Sequence, residues 1–190
     1  MIRITGGKLK GRNLESLRYD DLRPTTSFFR EWIFNVIKNM VDIDQVTLLD
    51  IFSGTGAVSF EFISRSANSA VMIEKNRELV KLTEKNMNKL NVTNAEVIKS
   101  DALSYLKRAF DNEAKLPYNV IYIDPPYIED HLIDQVFNLC CENHLLLPED
   151  VMIIIESGKR KTIKTCSYLI SSREKISGST KMSIFRKKDV

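Results

Sequence analysis

Three acidic residues stand where successive apolar runs of this sequence end. Asp50 closes the run Val-Thr-Leu-Leu-Asp before a turn that contains Gly54 and Gly56, Glu74 ends the second run, and Asp101 follows the third. In an open parallel sheet, ligands bind beyond the carboxyl ends of the strands. An acid after the second strand is suited to accept hydrogen bonds from both hydroxyls of a ribose. An acid after the third strand is suited to accept a hydrogen bond from an adenine amino group. We therefore expect a nucleoside-like ligand there.

The glycine turn excludes two common nucleotide sites. The dinucleotide fingerprint needs a third glycine where this chain has Ser59, and no lysine of the P-loop type follows the turn. The pattern thus favours a ligand with ribose, adenine and a positive charge but no pyrophosphate, which describes S-adenosylmethionine. Each acid alone is equally explained as a helix cap, so the prediction depends on all three occurring in this order.

A fourth apolar run ends in Asp124-Pro125-Pro126-Tyr127. Two prolines fix φ and remove two backbone donors, so the nearby carbonyl groups remain free to accept. The Asp124 carboxylate and one carbonyl are suited to hold a planar exocyclic amine while it attacks an electrophilic methyl group, and the Tyr127 ring is suited to stack on a base. Alone, this turn is equally a rigid connection between a strand and a helix. Beside the cofactor pattern it predicts an amino-group methyltransferase that works by positioning and electrostatics, without a metal or a covalent nucleophile.

The elements that must position these residues alternate regularly along the chain. Nearly continuous apolar runs alternate with amphipathic stretches, which is typical of a parallel α/β sheet covered on both faces. The predicted strands are 46–52, 69–74, 95–100, 118–124 and 151–156, with helices at 57–66, 76–90, 102–110 and 131–143 and two antiparallel strands near 167–174 and 181–186. In the leader we predict a strand at 2–5 and a helix over 26–40, capped by Thr26 or Ser27.

Charge is distributed unevenly along the chain. Residues 1–30 carry a net charge of +4, residues 31–155 carry −8, and residues 156–190 carry +7. If the fold brings the basic ends together, they form a positive surface suited to a polyanion. Basic termini that are merely solvated explain the same pattern, so charge alone leaves both interpretations open.

Composition limits the class of protein. A chain of 190 residues fits one domain with a short appendage. Three cysteines, two histidines and no Cys-x-x-Cys pair argue against a disulfide framework or a structural zinc site, and reduced thiols suggest the cytoplasm. No stretch approaches the roughly 20 apolar residues of a membrane helix, and the N-terminus has no apolar region of the secretory type. We expect a cytoplasmic protein without membrane or metal.

These motifs together resemble the class I S-adenosylmethionine-dependent methyltransferases that act on exocyclic nitrogen. The flanking segments 2–12, 22–26 with Arg30-Glu31, and 174–178 narrow the resemblance to the RsmD family, whose members methylate N2 of one guanine in bacterial 16S ribosomal RNA. It extends from Ile2 to about Lys187. Two departures are visible: Ser27-Phe28-Phe29 stands where the family pattern has an acid, and the turn reads Phe-Ser-Gly-Thr-Gly rather than Phe-Ala-Gly-Ser-Gly.

The resemblance implies a Rossmann-like methyltransferase domain over 45–190, with a mostly parallel seven-stranded sheet, and a basic RNA-binding extension over 1–44. Its implied partner is 16S rRNA, within the small ribosomal subunit or an assembly intermediate, and we expect a monomer. The implied cofactor residues are Asp50, Phe52, Gly54, Gly56, Glu74, Lys75, Asp101 and Ala102; the residues at the amine are Asp124, Pro125, Pro126 and Tyr127; the RNA-binding residues are Arg3, Lys8, Lys10, Arg12, Arg23, Thr25 and Arg30.

Two other classes of function remain open from the sequence. An amino-group methyltransferase acting on DNA adenine or on a protein glutamine uses similar chemistry, although DNA enzymes usually need an additional recognition region and glutamine enzymes an Asn before Pro-Pro-Tyr. A non-catalytic RNA-binding assembly factor on the same fold would not need all four acids at positions 50, 74, 101 and 124. None of the three cysteines has the Pro-Cys context of a catalytic nucleophile, which argues against a C5 methyltransferase.

Overall fold

A seven-stranded, mostly parallel sheet forms the centre of the protein. The computed structural model describes residues 2–16 and 25–188. Its strands are β1 (Ile2–Arg3), β2 (Asn13–Leu14), β3 (Thr47–Asp50), β4 (Ser69–Glu74), β5 (Ala95–Lys99), β6 (Val120–Ile123), β7 (Met152–Gly158), β8 (Leu169–Ser177) and β9 (Thr180–Lys187). Its α-helices are α1 (Ser27–Ile37), α2 (Ala57–Ser64), α3 (Arg77–Leu90), α4 (Ala102–Asp111) and α5 (His131–Glu142).

The strand order of the large sheet is β5-β4-β3-β6-β7-β9-β8. Strands β3 to β7 are parallel, while β9 is antiparallel to both β7 and β8. The chain order reverses at β3, which has β4 on one side and β6 on the other, so the crevice for a ligand opens beyond the carboxyl ends of these strands. The predicted α/β fold with an antiparallel C-terminal strand pair is confirmed.

Side-chain alternation along the central strands explains the two layers of helices. Leu48 belongs to a core with Phe29 of α1 and Phe62 of α2, whereas Leu49 belongs to a core with Leu106 of α4 and Phe137 of α5. Successive residues of a strand point to opposite faces, so a strand buried on both faces reads as a continuous apolar run. That is why the apolar runs identified the strands.

Several predicted boundaries differ from the observed ones. The predicted strand 46–52 ends at Asp50, because the following residues form the glycine turn, and the leader helix ends at Ile37 rather than 40. The hairpin turn at the C-terminus is tighter than predicted, since Gly178 adopts φ 61° between β8 and β9. Strand β2 was not predicted, because two residues carry no periodicity.

The cysteine prediction is wrong. Cys141 at the end of α5 and Cys166 in the segment before β8 form a disulfide, with a Cα–Cα distance of 6.2 Å. The two residues are 25 positions apart, and only the return of the chain toward the sheet edge brings them together. Cys141 and Cys166 are therefore not reduced thiols, and Cys140 is the free, buried cysteine of the described residues. Within residues 2–16 and 25–188, no helix is long and apolar enough to cross a membrane.

The leader packs against α2 and α3. Strands β1 and β2 form an antiparallel pair whose Ile2 and Leu14 side chains lie in a small core with Phe60 and Leu90. The intervening loop is held by α2, because the Lys8 N–H donates to the Ser64 carbonyl at 2.6 Å. At this contact Gly7 has φ 76°, and a Cβ there would stand 1.9 Å from the Ser64 carbonyl oxygen. Only glycine fits this close approach.

Replacing Gly7 with alanine should therefore loosen the leader. Gly7→Ala adds a steric clash to the strain of a left-handed backbone, whereas Gly178→Ala adds only the strain, because nothing lies within 4 Å of its Cβ position. Left-handed strain costs roughly 1–2 kcal/mol and overpacking a further 1–3 kcal/mol or so. We expect urea unfolding to give a larger loss of unfolding free energy for Gly7→Ala. Equal losses would contradict the close contact.

Candidate cofactor and amine site

One cavity of about 310 Å³ opens at the carboxyl ends of β3, β4 and β6. It brings together residues that the sequence distributes over about a hundred positions. The sequence-predicted residues in its lining are Thr25, Asp50, Phe52, Gly54, Glu74, Lys75, Asp101, Ala102, Asp124, Pro125, Pro126 and Tyr127. The cofactor-type acids and the Asp-Pro-Pro-Tyr turn thus share a single space, as the parallel topology requires.

Gly56 is the cofactor-set residue that does not line this cavity. It is the N-cap of α2 with φ 73°, and a Cβ there would stand 3.0 Å from the Phe60 ring and 3.1 Å from the Met72 sulfur. A glycine is favoured at this position because the turn needs a positive φ and because Phe60 and Met72 pack closely beneath it. Gly54, with φ 53°, has open space at its Cβ position, so the chain can be approached closely at this point.

The backbone holds the Glu74 carboxylate in a fixed orientation. The Gly54 N–H donates to Oε2 at 2.9 Å and the Asn76 N–H donates to Oε1 at 2.7 Å. An ionised carboxylate has about four acceptor positions, so each oxygen retains capacity for another donor. Two adjacent hydroxyl groups are donors of the matching kind, which is consistent with the predicted ribose contact.

Asp50 is buried at the base of the cavity. The Ser59 hydroxyl donates to its Oδ2 at 2.7 Å, whereas its Oδ1 has no hydrogen-bond partner among the described residues. Burial raises the pKa of Asp50 to about 7; the Ser59 hydrogen bond opposes this shift, and the charge of Glu74 adds to it. A buried acceptor without a donor costs free energy. A ligand ammonium group, as in the methionine part of S-adenosylmethionine, would satisfy it, so the site fits this cofactor.

Asp101 is the helix cap that the sequence offered as one interpretation, and its position also leaves the predicted adenine contact open. It caps α4, because its Oδ1 accepts from the Ser104 N–H at 2.9 Å, and it also lines the cavity. The hydrogen bond from Ser104 lowers the pKa of Asp101 below its ordinary value, with a smaller contribution from the Lys75 charge. The carboxylate is therefore ionised at neutral pH and remains an acceptor.

Lys75 is engaged at the rim of the cavity. Its Nζ lies 2.9 Å from Glu129, which follows the Pro-Pro turn, so this ion pair joins the end of β4 to the opposite wall. The lysine side chain is 56% exposed, and such pairs contribute at most about 1 kcal/mol. Its effect is on the shape of the rim more than on stability.

The end of the cavity where we predict the amine is built around Asp124. Thr25 of the leader donates through Oγ1 to Asp124 Oδ2 at 3.3 Å and contacts the Tyr122 hydroxyl at 2.9 Å. Tyr122 is buried and donates to Glu156 Oε2 at 2.9 Å. Tyr127 is half exposed, and its hydroxyl lies 2.9 Å from Thr180 Oγ1. The ring that we expect to stack on a base is thus held at its hydroxyl end, and about half of the residue is exposed.

A second cavity of about 650 Å³ lies beside the first and shares Thr25 with it. Arg3 and Lys10 line this cavity, whereas Lys8 and Arg12 are exposed elsewhere on the leader. Arg23 lies outside the described residues. The leader therefore brings exposed cationic side chains close to the amine end of the site.

The prediction that Arg30 contacts RNA is corrected by its burial. Its guanidinium pairs with Glu61 at 3.2 Å and donates to the backbone carbonyls of Thr25 and Arg3. Glu61 is fully buried and also accepts from the Thr5 N–H at 2.7 Å. Arg30 therefore fixes the leader to α2, and its guanidinium is already engaged by these partners.

Sequence reasoning missed several of these contacts. Ser59 was noted only as an absent glycine, and Tyr122, Glu156 and Glu61 were not singled out. A signal existed in each case, since Tyr122 is a polar residue within the apolar run of β6 and Glu61 is an acid within the apolar helix α2. Such a residue must find a partner when buried, but the sequence does not say which.

The fold and the site define a class of protein. A Rossmann-like sheet of this order, with a glycine turn after β3 and acids at the ends of β3, β4 and β6, is that of a class I methyltransferase. Among solved structures, a putative methyltransferase from Escherichia coli is similar at a TM-score of 0.81, with 32% sequence identity and 98% coverage of both chains.

Sequence comparison defines the family. A family model described as Conserved hypothetical protein 95 matches residues 2–186. A ribosomal RNA small subunit methyltransferase D of Escherichia coli K12 is 33% identical over 187 residues, which are 98% of this chain and 90% of the relative. A protein of the same name from Haemophilus influenzae is 32% identical over 179 residues, which are 93% of this chain and 89% of that relative. The chain belongs to the RsmD family, which confirms the resemblance seen in the sequence.

The buried ion pair generates a prediction about stability. Removing one partner of a buried pair leaves an unpaired charge and costs about 3–5 kcal/mol, so Glu61→Ala should lower the unfolding free energy by about that amount in urea titration. Glu78→Ala is the matched control, because its pair with Lys81 is exposed on α3 and should contribute only about 0.3–0.5 kcal/mol. Similar losses for both variants would show that Glu61 does not anchor the leader.

Proposed function

We propose that this protein transfers the methyl group of S-adenosylmethionine to the exocyclic N2 amine of one guanine in 16S ribosomal RNA. The observation that carries the proposal is the single cavity in which Asp50, Glu74 and Asp101 face the same space as Asp124 and Tyr127. The names of the family relatives supply the substrate class. The choice of guanine N2 comes from the family resemblance.

The cofactor-binding residues have distinct contributions. Asp50 Oδ1 is the acceptor for the methionine ammonium, Glu74 for the ribose hydroxyls, and Asp101 for the adenine amino group. Phe52, Gly54, Lys75 and Ala102 complete the wall of the same cavity. When bound, the cofactor supplies an electrophilic methyl group on a positively charged sulfur, and four acids around the cavity provide a field that favours a cation.

The amine-binding residues hold the target without activating it covalently. Asp124 and a carbonyl of the Pro125-Pro126 segment accept from the two N–H groups of the amine, and Tyr127 stacks on the base. Base stacking on an aromatic ring contributes about 1–3 kcal/mol in single-strand binders. Correct placement of the nitrogen beside the methyl carbon then supplies much of the rate enhancement.

RNA binding is assigned to the leader. We propose that residues 1–44 act as the RNA-binding extension of a methyltransferase domain formed by 45–190, with Arg3, Lys8, Lys10, Arg12 and Arg23 contacting phosphates. Four of these side chains are exposed, and two line the cavity next to Thr25. A substrate in the small subunit or an assembly intermediate implies that the protein acts in the cytoplasm, and we propose that it acts as a monomer.

The decisive experiment is methyl transfer from labelled S-adenosylmethionine to unmodified small ribosomal subunits, naked 16S RNA and duplex DNA in parallel. Nucleosides from the digested products are then identified, and the protein fraction is counted. We expect label in N2-methylguanosine from a ribosomal substrate. Label in N6-methyladenine or in protein, or cofactor binding without any transfer, would overturn the proposal in favour of the other amino-group enzymes or of a non-catalytic factor.

The raised pKa of Asp50 predicts how cofactor affinity depends on pH. The ammonium group binds the ionised carboxylate, so below about pH 7 binding must first displace a proton. The Kd for S-adenosylmethionine should therefore increase by about tenfold or more as the pH falls from 7.5 to 5.5. Calorimetry in buffers of different ionisation enthalpy should detect proton release at the lower pH.

Two variants control this measurement. Ser59→Ala removes the hydrogen bond that opposes the shift, so the loss of affinity should begin at a higher pH. Asp50→Asn has no carboxyl group to titrate and should bind weakly at every pH. A pH dependence that persists unchanged in Asp50→Asn would contradict the assignment of Asp50 to the ammonium group.

The leader assignment predicts a change in the salt dependence of RNA binding. Replacing Lys8, Lys10 and Arg12 with alanine should weaken binding and reduce the slope of log K against log salt by roughly 0.7–0.9 for each lost phosphate contact. Lys81, Lys85 and Lys89 on α3 offer a control triple variant of equal charge, two of them already paired with Glu15. Equal slopes for the two triple variants would place the RNA elsewhere.

A further inference from the structure

Four side chains form a continuous hydrogen-bond chain behind the predicted amine site, and three of them are buried. Asp124 Oδ2 lies 3.3 Å from Thr25 Oγ1, which lies 2.9 Å from the Tyr122 hydroxyl, which lies 2.9 Å from Glu156 Oε2. Thr25, Tyr122 and Glu156 are each 5% exposed or less. The chain crosses from the leader through β6 to β7, so it is not a product of local sequence. The proposed function uses only its first member.

The three oxygen-to-oxygen contacts of this chain need three protons. Thr25 and Tyr122 each supply one hydroxyl proton, so the chain is one proton short when Asp124 and Glu156 are both ionised. If Tyr122 donates to Glu156 and Thr25 to Asp124, no proton lies between the two hydroxyl oxygens. If either hydroxyl turns toward the other, one carboxylate contact loses its proton instead. Additional partners of the carboxylates do not alter this count, which concerns the three contacts alone.

The surroundings of the chain keep its hydroxyl protons in place. Burial raises the pKa of Tyr122 well above its ordinary value, and the charges of Glu156, Asp124 and Asp50 raise it further. Arg30 donates to the Thr25 carbonyl but is itself paired with Glu61. The three carboxylates therefore favour the protonated form of the Tyr122 hydroxyl.

We infer that Thr25, Tyr122 and Glu156 form a proton-deficient chain that makes Asp124 the acceptor of the proton released when the amine is methylated. The inference rests on the proposed function. The lone pair of the amine forms a bond to the methyl carbon, and the carbon–sulfur bond breaks with its electrons left on sulfur. The methylated nitrogen is then cationic. One of its protons moves to Asp124, and the bonding pair stays on nitrogen.

Proton uptake completes the chain without moving any heavy atom. Protonated Asp124 donates to Thr25, Thr25 turns its own proton to Tyr122, and Tyr122 continues to donate to Glu156. All three contacts then contain a proton. The chain thus stabilises the protonated form of Asp124 in a way that an isolated aspartate beside solvent does not. Thr25, Tyr122 and Glu156 act as positioning residues, because they reach the substrate only through Asp124.

Two substitutions remove the proton deficit by different means. Tyr122→Phe leaves a single contact between Thr25 and Asp124, which the Thr25 proton satisfies. Glu156→Gln keeps the shape of the side chain, and its amide group can donate to Tyr122, so that Tyr122 donates to Thr25 and Thr25 to ionised Asp124. In both variants Asp124 should accept a proton less readily. Tyr118→Phe is the matched control, because it removes a tyrosine hydroxyl whose 2.9 Å contact is to Tyr105, away from the chain.

The test combines single-turnover methyl transfer to the ribosomal substrate across a range of pH with a carbon-13 NMR titration of labelled carboxyl groups in the free protein. An acceptor must be unprotonated, so the wild-type rate should fall at acidic pH. In Tyr122→Phe and Glu156→Gln we expect this acid limb to move to lower pH. The maximum rate should fall on the order of 100-fold, within the usual range of general acid–base contributions, with cofactor affinity changed only a few-fold.

The two readouts separate this inference from the proposed function. In the NMR titration, a carboxyl group should titrate at higher pH in the wild type and Tyr118→Phe than in Glu156→Gln. Coincident titrations and pH–rate profiles for all proteins would overturn the inference alone. A wild-type protein that methylates no ribosomal guanine would overturn the proposed function, whatever the titration shows. Because Glu156→Gln is nearly isosteric, the test does not depend on whether Tyr122→Phe folds.

Discussion

The buried ion pair of Arg30 with Glu61 is the contact on which the arrangement of the site depends. Removing two charges from water is costly unless hydrogen bonds satisfy them. Glu61 also accepts from the Thr5 N–H and from Arg65, and Arg30 also donates to the Thr25 carbonyl. These bonds join two separate parts of the leader, one at Thr5 and one at Thr25 and Arg30, to one residue of α2. Thr25 is thereby held where its side chain reaches Asp124.

A second constraint is that the polar groups around the cavity are unevenly satisfied. The Arg30–Glu61 network is satisfied, whereas Asp50 Oδ1 has no partner within the described residues, and we infer that the chain behind Asp124 has two hydroxyl protons for three contacts. Unsatisfied buried acceptors reduce stability, and proteins retain such strain mainly at functional sites. The two deficits differ in kind, since we propose that a cationic ligand meets one and a proton the other. Both adjoin the first cavity, where we propose that the methyl group and the amine meet.

The sequence predicted those parts of the site that depend on position along strands. Asp50, Glu74, Asp101 and Asp124 were identified because apolar runs mark strands and parallel topology places their carboxyl ends at one edge. The same logic predicted the sheet and its antiparallel C-terminal pair. Boundaries were less accurate where a turn rather than a pattern ended the element.

Contacts between distant segments could not be predicted in the same way. Thr25 and Tyr122 are 97 positions apart, and Arg30 and Glu61 are 31 apart. No pattern in a single sequence indicates that residues so far apart along the chain are in contact. Arg30 shows the consequence: a basic residue in a basic leader was assigned to RNA, although burial against Glu61 gives it a structural role. The Cys141–Cys166 disulfide was missed for the same reason.

The leader contributes residues both to the second cavity and to the hydrogen bonds of Asp124. Its loop presents Arg3 and Lys10 to one cavity, while Thr25 belongs to both that cavity and the next. A ligand in the second cavity would therefore lie beside Thr25, whose hydroxyl contacts Asp124. Arg30 donates to the carbonyls of Arg3 and Thr25 together, so a single guanidinium joins these two parts of the leader. If the leader binds the substrate as we propose, we expect that binding to be coupled to the placement of the Asp124 carboxylate through Arg30 and Thr25.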